Sequence, residues 1–548
     1  MADHRPVTEP GITIAHLEDR DLMSMFRATL SRHPTRTMIR YFDGELTFQR
    51  IDEESEAFAA ALESRGFTHG DRLAIVANNI PHFVITMIAA WKLGGIIVPI
   101  PPALGDHEIL ELVSRSGAST IACEEARIGD WMDGIPLPTP VISLCPHEYH
   151  DAGSEELIPQ HAAPRADTVE FRDLVNRHRG EPVAMVVPHP ASAAAIVFTS
   201  GTTGAPKGAV NRHESLAFVG QVYRDWVALT EHDRVLEAAP FPTIMGIAAG
   251  IAPAIVTGCS VSISYRFHVA TLARMARQHR TTFLMGAPTM YLSLLNEPSI
   301  RREDLESLNH LYCGASTVPM VLVERWRSRF GQQIGTAYGM TEASGPTHLS
   351  PAGVEVPIDP ASGALAIGMP VYSTESRIVD PASQPGDELP EGEVGEMVVR
   401  GPQMISRYWN SGEDAAGTIA DGWIRTGDLA IRRGDWFYVL DRIKDTIVTS
   451  GNNISPRQVE DCLLQHPSVV EAAVVGVPDG HRGESVQAFV VVDRSLPVTA
   501  EELIEHCRNR LASYKAPRVV RFIESLPVNL TGKVLRRHLR ELVASIDS

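Results

Sequence analysis

The stretch Ala193–Thr199 (AAAIVFT), followed by Ser200-Gly201-Thr202-Thr203-Gly204-Ala205-Pro206-Lys207-Gly208, decides how this chain is read. The first seven residues are apolar and turn β-branched towards their end, which predicts a buried strand. The Gly and Pro residues that follow cannot extend it, so they form a loop of phosphate size. Glycines let backbone N–H groups turn towards an anion, the hydroxyls of Thr199, Ser200, Thr202 and Thr203 add donors, and Lys207 adds a mobile positive charge. The loop is not a Walker A motif, because Lys207 is followed by Gly208 rather than Ser or Thr. A simple NTPase or kinase therefore loses support. Taken alone, an ordinary Gly/Thr-rich surface loop would be the simpler reading, and its company in the chain decides otherwise.

Upstream, strand-like runs alternate with helical periodicity: LAIVAN (73–78), PHFVITMIAAWKLG (81–94) and GIIVPIP (95–101). Such alternation predicts parallel sheets covered by helices, an α/β fold. Downstream, the Pro, Gly and acid-rich stretch 380–395 marks a surface loop, and GEMVVRGP (395–402) and WFYVLDR (436–442) read as strands of a smaller β unit. The last hundred or so residues carry a complete α/β pattern of their own: helix PRQVEDCLLQHP, strands VVEAAVVGVP and SVQAFVVVD, helix TAEELIEHCRNRLASY, then RVVRFIE. A boundary near Asp441 to Lys444 follows, with residues 1–441 as a large N-terminal domain and 442–548 as a smaller C-terminal one. At 548 residues, length alone suggests three or four domains, and no internal repeat is visible.

Composition narrows the function classes. The chain is 44% hydrophobic and 21% charged, ordinary for a globular protein. A net charge of -18 opposes binding to nucleic acid or anionic membrane, which demand a basic footprint. Six cysteines (Cys123, Cys145, Cys259, Cys313, Cys462, Cys507) form no CxxC pair, which suggests neither a zinc site nor a disulfide framework and fits a reducing cytoplasm. The first residues lack the apolar run of a signal peptide. The apolar stretches Phe83–Pro99 and Ile244–Val256 are broken by Lys92 or by Gly and Pro253, so buried core helices are expected in place of membrane spans.

The company of the phosphate-sized loop is Tyr338-Gly339-Met340-Thr341-Glu342, Gly422-Trp423-Ile424-Arg425-Thr426-Gly427-Asp428, Asp441-Arg442-Ile443-Lys444-Asp445 and Asn529-Leu530-Thr531-Gly532-Lys533. In this order and spacing the motifs are specific, and from about Leu22 to Arg537 the chain resembles the acyl-adenylate-forming superfamily of acyl- and aryl-coenzyme A ligases, firefly luciferase and peptide synthetase adenylation domains.

The resemblance implies a large N-terminal region of sheet-and-helix subdomains plus a small β unit, and a smaller mobile C-terminal α/β domain. It implies that Thr199 and Ser200 to Lys207 hold phosphates, that Gly314, Ala315, Ser316, Tyr338 and Gly339 surround the adenosine of ATP or AMP, and that Thr341 contacts phosphate. Glu342 would hold Mg²⁺, a task for a hard carboxylate oxygen, and the ring of Tyr338 suits a purine face. Asp428 would accept both ribose hydroxyls, with Arg442 contacting ribose or phosphate. Lys533 would bridge carboxylate and α-phosphate during adenylation. Lys444 would be the hinge about which the C-terminal domain swings, bringing Gly451 and Asn452 to line a tunnel for coenzyme A. Thr243, Gly246, Met285, Gly314 and Ala315 would line the acyl pocket, and His213 would have a supporting role. The expected activity is ATP-dependent ligation of a fatty, alicyclic or aryl acid to coenzyme A.

Two departures stand out. Thr243 replaces the histidine or aromatic residue common in relatives, and Arg407 replaces a glycine before Tyr408-Trp409-Asn410. No aspartate suited to an amino-acid α-amine occurs in PFPTIMG (240–246), and its apolar residues suit a fatty, alicyclic or aryl acid. An amine or a carrier protein as acyl acceptor stays open, as does a homodimer. A luciferase-like oxidation needs a specific oxidisable substrate, and a nucleotide sensor that had lost catalysis would lack Lys533, Glu342 or Thr341, all of which are present.

Overall fold

The computed structural model describes residues 21–129, 140–150, 157–161, 165, 167–199, 206–383, 387–410, 419–420, 422–449, 451–493, 495–529 and 532–546. Among these, the strands form four sheets. A nine-stranded sheet runs from Met369–Pro370 through Gly345–Leu349, Ile334–Met340, His310–Cys313, Phe283–Gly286, Arg234–Glu237, Ser260–Ile263 and Thr37–Tyr41 to Gly44–Thr47. From Ile334–Met340 to Thr37–Tyr41 every pairing is parallel, and antiparallel strands close both edges. A seven-stranded sheet is ordered Thr168–Glu170, Val141–Leu144, Thr120–Glu124, Arg72–Val76, Ile96–Ile100, Ala193–Thr199, Lys207–Arg212, with only the last pairing antiparallel. The expected parallel sheets are therefore present, and the phosphate-sized loop joins two arms of a hairpin before the helix His213–Trp226 begins.

Both apolar stretches lie in the core. Helix Pro81–Lys92 starts with proline at its first turn, where the missing N–H costs nothing, and every one of its residues is buried. Apolar residues all round a helix require cover on all sides. Lys92 is tolerated there because its ammonium meets Asp52 Oδ1 at 2.7 Å and the Asp52 carbonyl at 2.8 Å. The second stretch forms a fully buried π-helical turn, Gly246–Ile251, continued by the helix Ala252–Thr257. Among the described residues no helix is long and apolar enough to cross a membrane.

The small β unit is a five-stranded antiparallel sheet built on Glu375–Val379, Gly395–Arg400, Trp423–Arg433, Ile419–Ala420 and Trp436–Arg442. The last sheet comprises Ile447–Thr449, Asn452–Ile454, Val469–Asp479, Gly483–Val492 and Val519–Phe522, flanked by helices Pro456–Leu464, Ala500–Arg508 and Arg536–Ile546. The second of these helices is shorter than its sequence pattern predicts. It begins with a capping box between Thr499 and Glu502 and ends at Asn509, after which the N–H groups of Arg510 and Leu511 both return to the Cys507 carbonyl.

Candidate functional site

The hairpin that carries the loop is anchored on both arms. Thr199 and Lys207 are paired across it, with the Thr199 hydroxyl 3.3 Å from the Lys207 carbonyl. Ser200, Gly201, Thr202, Thr203 and Gly204 lie outside the described residues. The outer arm is clamped by residues 407–409: the Trp409 N–H donates to the Gly208 carbonyl at 2.7 Å, Ala209 bridges Tyr408, and the Val210 N–H donates to the Arg407 carbonyl at 3.4 Å. Arg407 thus enters the clamp through its backbone while its side chain is exposed, so a larger residue than glycine fits.

Two residues with no role assigned from sequence tie this hairpin to Thr341 and Glu342. Asn211 donates from Nδ2 to the Thr341 carbonyl and to Ser344 Oγ, both at 2.9 Å. Tyr408 donates from Oη to Glu342 Oε1 at 2.9 Å, and Lys207 Nζ stands 5.3 Å over the Tyr408 ring. Asn211 was legible in principle, because alternation along a strand puts it on the same face as Lys207. Tyr408 could not be found that way, since it arrives from a segment almost two hundred positions away. Thr341 opens a 3₁₀ turn, Thr341–Ala343, closed by Ser344 in the left-handed region at φ 52°.

Tyr338 sits where the strand Ile334–Met340 bulges against its neighbour. Its Oη donates to Asp428 Oδ2 at 2.6 Å, while Arg442 Nε lies 3.1 Å from Asp428 Oδ1. Asp428 and Arg442 face each other on paired strands. His348, opposite Tyr338 in the sheet, packs edge-on to its ring at 5.8 Å and fixes its tilt. Burial holds that imidazole neutral, with its pKa pushed down to about 3. Gly314 follows the strand His310–Cys313, and a side chain there would collide with the Ala337 carbonyl, so the two strand ends close up. Ala315 takes φ 65° beside it, and Ser316 is half-buried. Gly339 lies in the bulge next to Tyr338.

Lys533 reaches this cluster from the C-terminal sheet and helices. Its turn is closed by the Gly532 N–H on the Asn529 carbonyl at 2.9 Å and the Lys533 N–H on Asn529 Oδ1 at 2.9 Å. Gly532 has φ 77° and lies flat against Thr289 and Ala287 of the large domain, where any side chain would clash. Burial, together with the Arg442 and Lys444 cations and against the pull of Asp428 and Asp445, brings the Lys533 ammonium down to about 7. Lys444 is exposed in the 3₁₀ turn Ile443–Asp445, between Arg442 at the end of the small β unit and the strand Ile447–Thr449. Beyond it, Asp441 Oδ2 accepts from Ser455 Oγ at 2.7 Å, and Arg457 Nη1 donates to the Val439 carbonyl at 2.6 Å. Gly451, at φ 80°, and Asn452 lie at the turn of the hairpin formed by Ile447–Thr449 and Asn452–Ile454.

On the acyl side, Thr243 Oγ1 donates to the Pro240 carbonyl at 2.7 Å and starts the turn that enters Gly246. The Met285 methyl lies beside Gly314. The sequence reading missed Glu237. Glu237 is in backbone register with Met285 on the neighbouring parallel strand, is 3% exposed, and its Oε1 accepts the Ala239 N–H at 2.8 Å. Its Oε2 rests on Gly250 of the π-helical turn and has no hydrogen-bond partner among the described residues. Burial raises its pKa well above the ordinary carboxylate value, which favours the protonated form. His213, edge-on to Trp91 at 5.2 Å, is buried and neutral, its pKa pushed down to about 4, which suits support and not chemistry.

The chain matches the model of the AMP-binding enzyme family over residues 26–409 and that of the AMP-binding enzyme C-terminal domain over 458–533. It is 30% identical to a long-chain-fatty-acid–CoA ligase of Bacillus subtilis, over 96% of this chain and 95% of the relative. It is 32% identical to a 3-[(3aS,4S,7aS)-7a-methyl-1,5-dioxo-octahydro-1H-inden-4-yl]propanoyl:CoA ligase of Rhodococcus jostii, over 91% of this chain and 94% of the relative. Among solved structures, o-succinylbenzoate CoA synthetase of Bacillus subtilis in complex with its acyl-adenylate intermediate superposes with a TM-score of 0.79 at 27% identity, covering 94% of this chain and 97% of that one.

Proposed function

The chain belongs to the AMP-binding enzyme family, and from that premise we propose how its residues divide the work of an ATP-dependent carboxylic acid–coenzyme A ligase. The observation that carries the reading is the convergence of Lys533, Arg442, Asp428 and Tyr338 on one place, with Lys207, Thr341 and Glu342 linked through Tyr408 and Asn211.

In the first half-reaction a carboxylate oxygen attacks the α-phosphorus of ATP in line, the bond to the bridging oxygen breaks, and pyrophosphate leaves. Asp428 takes the ribose hydroxyls, and the Tyr338 ring covers the adenine. Lys533 and Thr341 hold the charge that builds on the α-phosphate, and Lys207 follows the departing phosphates. Glu342 suits Mg²⁺, because its carboxylate is a hard donor and Tyr408 restrains one of its oxygens. When bound there, the ion would neutralise phosphate charge.

In the second half-reaction the C-terminal domain, taken as residues 442–548, turns about Lys444, withdraws Lys533 and brings Gly451 and Asn452 to the coenzyme A path. The thiol attacks the acyl carbonyl carbon, and AMP leaves. The acid is fatty, alicyclic or aryl. Glu237 narrows the class: a neutral carboxyl with one oxygen unpaired, beside Met285, favours a hydrocarbon body that carries a hydrogen-bond acceptor such as a carbonyl far from the reacting carboxylate. Operation in the cytoplasm is part of the same reading.

The test is pyrophosphate release from ATP across fatty, alicyclic, keto-substituted, aryl and amino acids, with and without coenzyme A, following thioester and AMP by mass spectrometry. Thioester from one acid class supports the ligase. Adenylate without thioester transfers the reading to an amine or carrier-protein acceptor.

A further inference from the structure

Away from the nucleotide cluster, three side chains of metal-ligating type meet at one corner of the seven-stranded sheet. Glu125 and Cys145 leave the C-terminal ends of the neighbouring parallel strands Thr120–Glu124 and Val141–Leu144, in register at Glu124 and Leu144. His161 comes back onto them from the excursion that follows. Its Nδ1 is 3.1 Å from Glu125 Oε1 and 3.6 Å from Cys145 Sγ, and the three ligand atoms all lie within 4.8 Å of one another.

We propose that Glu125, Cys145 and His161 form a binding site for Zn²⁺ or a similar borderline divalent cation, with one open position. Bond lengths of ~2.3 Å to sulfur and ~2.0–2.2 Å to nitrogen and oxygen at tetrahedral angles require S···N and N···O separations of roughly 3.6 and 3.4 Å. The protein holds 3.6 and 3.1 Å, and with all three ligand atoms within 4.8 Å of one another the cluster has only to close around the ion. The donor set of one sulfur, one imidazole and one carboxylate selects zinc-like ions over Mg²⁺ or Ca²⁺, and water completes the fourth position on the exposed His161 side.

Two further features fit a ligand role. The Glu148 N–H donates to the Cys145 carbonyl at 3.1 Å, which fixes the turn that carries the thiol. The His147 ring lies on His161 with centroids 4.2 Å apart, while its Nε2 bonds the Pro159 carbonyl at 2.8 Å, so the returning segment is already oriented. On loading, the Cys145 thiol proton passes to solvent and the neutral His161 ring carries its proton on Nε2, so that Sγ and Nδ1 each present a lone pair to the metal.

The ion would hold the segment after Leu144 where it packs against the edge of the nine-stranded sheet. Tyr41 Oη donates to the Pro146 carbonyl at 3.0 Å, the Tyr149 hydroxyl bonds Glu54, and His150 packs on Tyr41 and Phe42. The ligands are spread over positions 125, 145 and 161, so no short cysteine motif announces them.

Chelator-treated full-length enzyme titrated with CoCl₂ tests the site. A thiolate-to-cobalt band in the near ultraviolet should saturate at one equivalent and be displaced by ZnCl₂. The assignment is clean because the other five cysteines are buried. Cys145→Ser should abolish the band, His161→Ala should weaken Zn²⁺ binding at least tenfold, and both should keep the wild-type rate of pyrophosphate release, which also reports folding. ZnCl₂ should raise the melting temperature of wild type and of neither variant. A missing band, or one that survives Cys145→Ser, overturns the proposal.

Discussion

The hydroxyl of Tyr338 donates to Asp428 Oδ2 at 2.6 Å while Arg442 holds the other oxygen at 3.1 Å, so the carboxylate expected to grip the ribose is already aimed, with a lone pair left on each oxygen. Ribose hydroxyls can take the remaining acceptor sites, and their contribution is measurable. Asp428→Asn should raise KM for ATP ~10–100-fold, the scale of lost hydrogen bonds to a charged group. Tyr338→Phe keeps the ring and should change it no more than ~fivefold, whereas Tyr338→Ala also loses the stacking face, worth another ~10-fold or more. Steady-state pyrophosphate release against ATP concentration reads all three.

Lys533 should serve only the first half-reaction. Lys533→Ala is expected to slow pyrophosphate release ~10²–10³-fold, while thioester formation from supplied acyl-adenylate stays within a few-fold of wild type. Equal loss of both would remove the division of labour.

The same lysine predicts a pH limb. Its ammonium is the working form and, held at about 7 in the free protein, it is lost as pH rises through that value. Adenylation kcat/KM should therefore fall on the alkaline side of about pH 7, while kcat holds to higher pH because the bound triphosphate restores the charge. Lys533→Arg should flatten the limb, since a guanidinium does not deprotonate there. Stopped-flow pyrophosphate release across pH 6–9 is the measurement.

Tyr408→Phe frees one oxygen of Glu342 without touching substrate. Loss of such an outer partner typically weakens metal binding by ~10-fold or more. The Mg²⁺ concentration for half-maximal adenylation should rise by about that factor while saturating activity is largely kept.

Glu237 carries a stability signature as well as a specificity one. Its folded-state pKa lies above the ordinary 4.5, so the folded chain keeps a proton that the unfolded chain releases, and stability declines as pH rises past that value. Glu237→Gln abolishes this slope. Its stability relative to wild type should climb as pH rises above 4.5, by at most about 1.4 kcal/mol per pH unit, read as a widening gap in melting temperature. Glu237→Leu should shift preference from keto-substituted to plain hydrocarbon acids, read as a change in KM for the acid at constant KM for ATP. An unchanged ratio would detach Glu237 from substrate choice.

Much of this architecture was legible along the chain. Fully apolar runs such as Ile96–Ile100 can only be strands buried on both faces, and Pro81 ahead of an apolar period marks a helix start. Lys92 looked like an interruption because its partner Asp52 belongs to another helix. The length of the helix after Thr499 was overread, because side-chain periodicity continues past the point where the backbone loosens at Asn509.

The sequence by itself determined the order of elements, the chemical kinds of residue available and the loop–Tyr–Asp–Lys series, since these depend on local period, turn chemistry and spacing. The tertiary structure alone decided that Tyr408 restrains Glu342, that His348 tilts Tyr338, that Glu237 is buried in register with Met285, and that Glu125, Cys145 and His161 meet. Each of these joins residues far apart in the chain, and a contact between distant positions is set by how strands are ordered and helices packed, which no local pattern encodes.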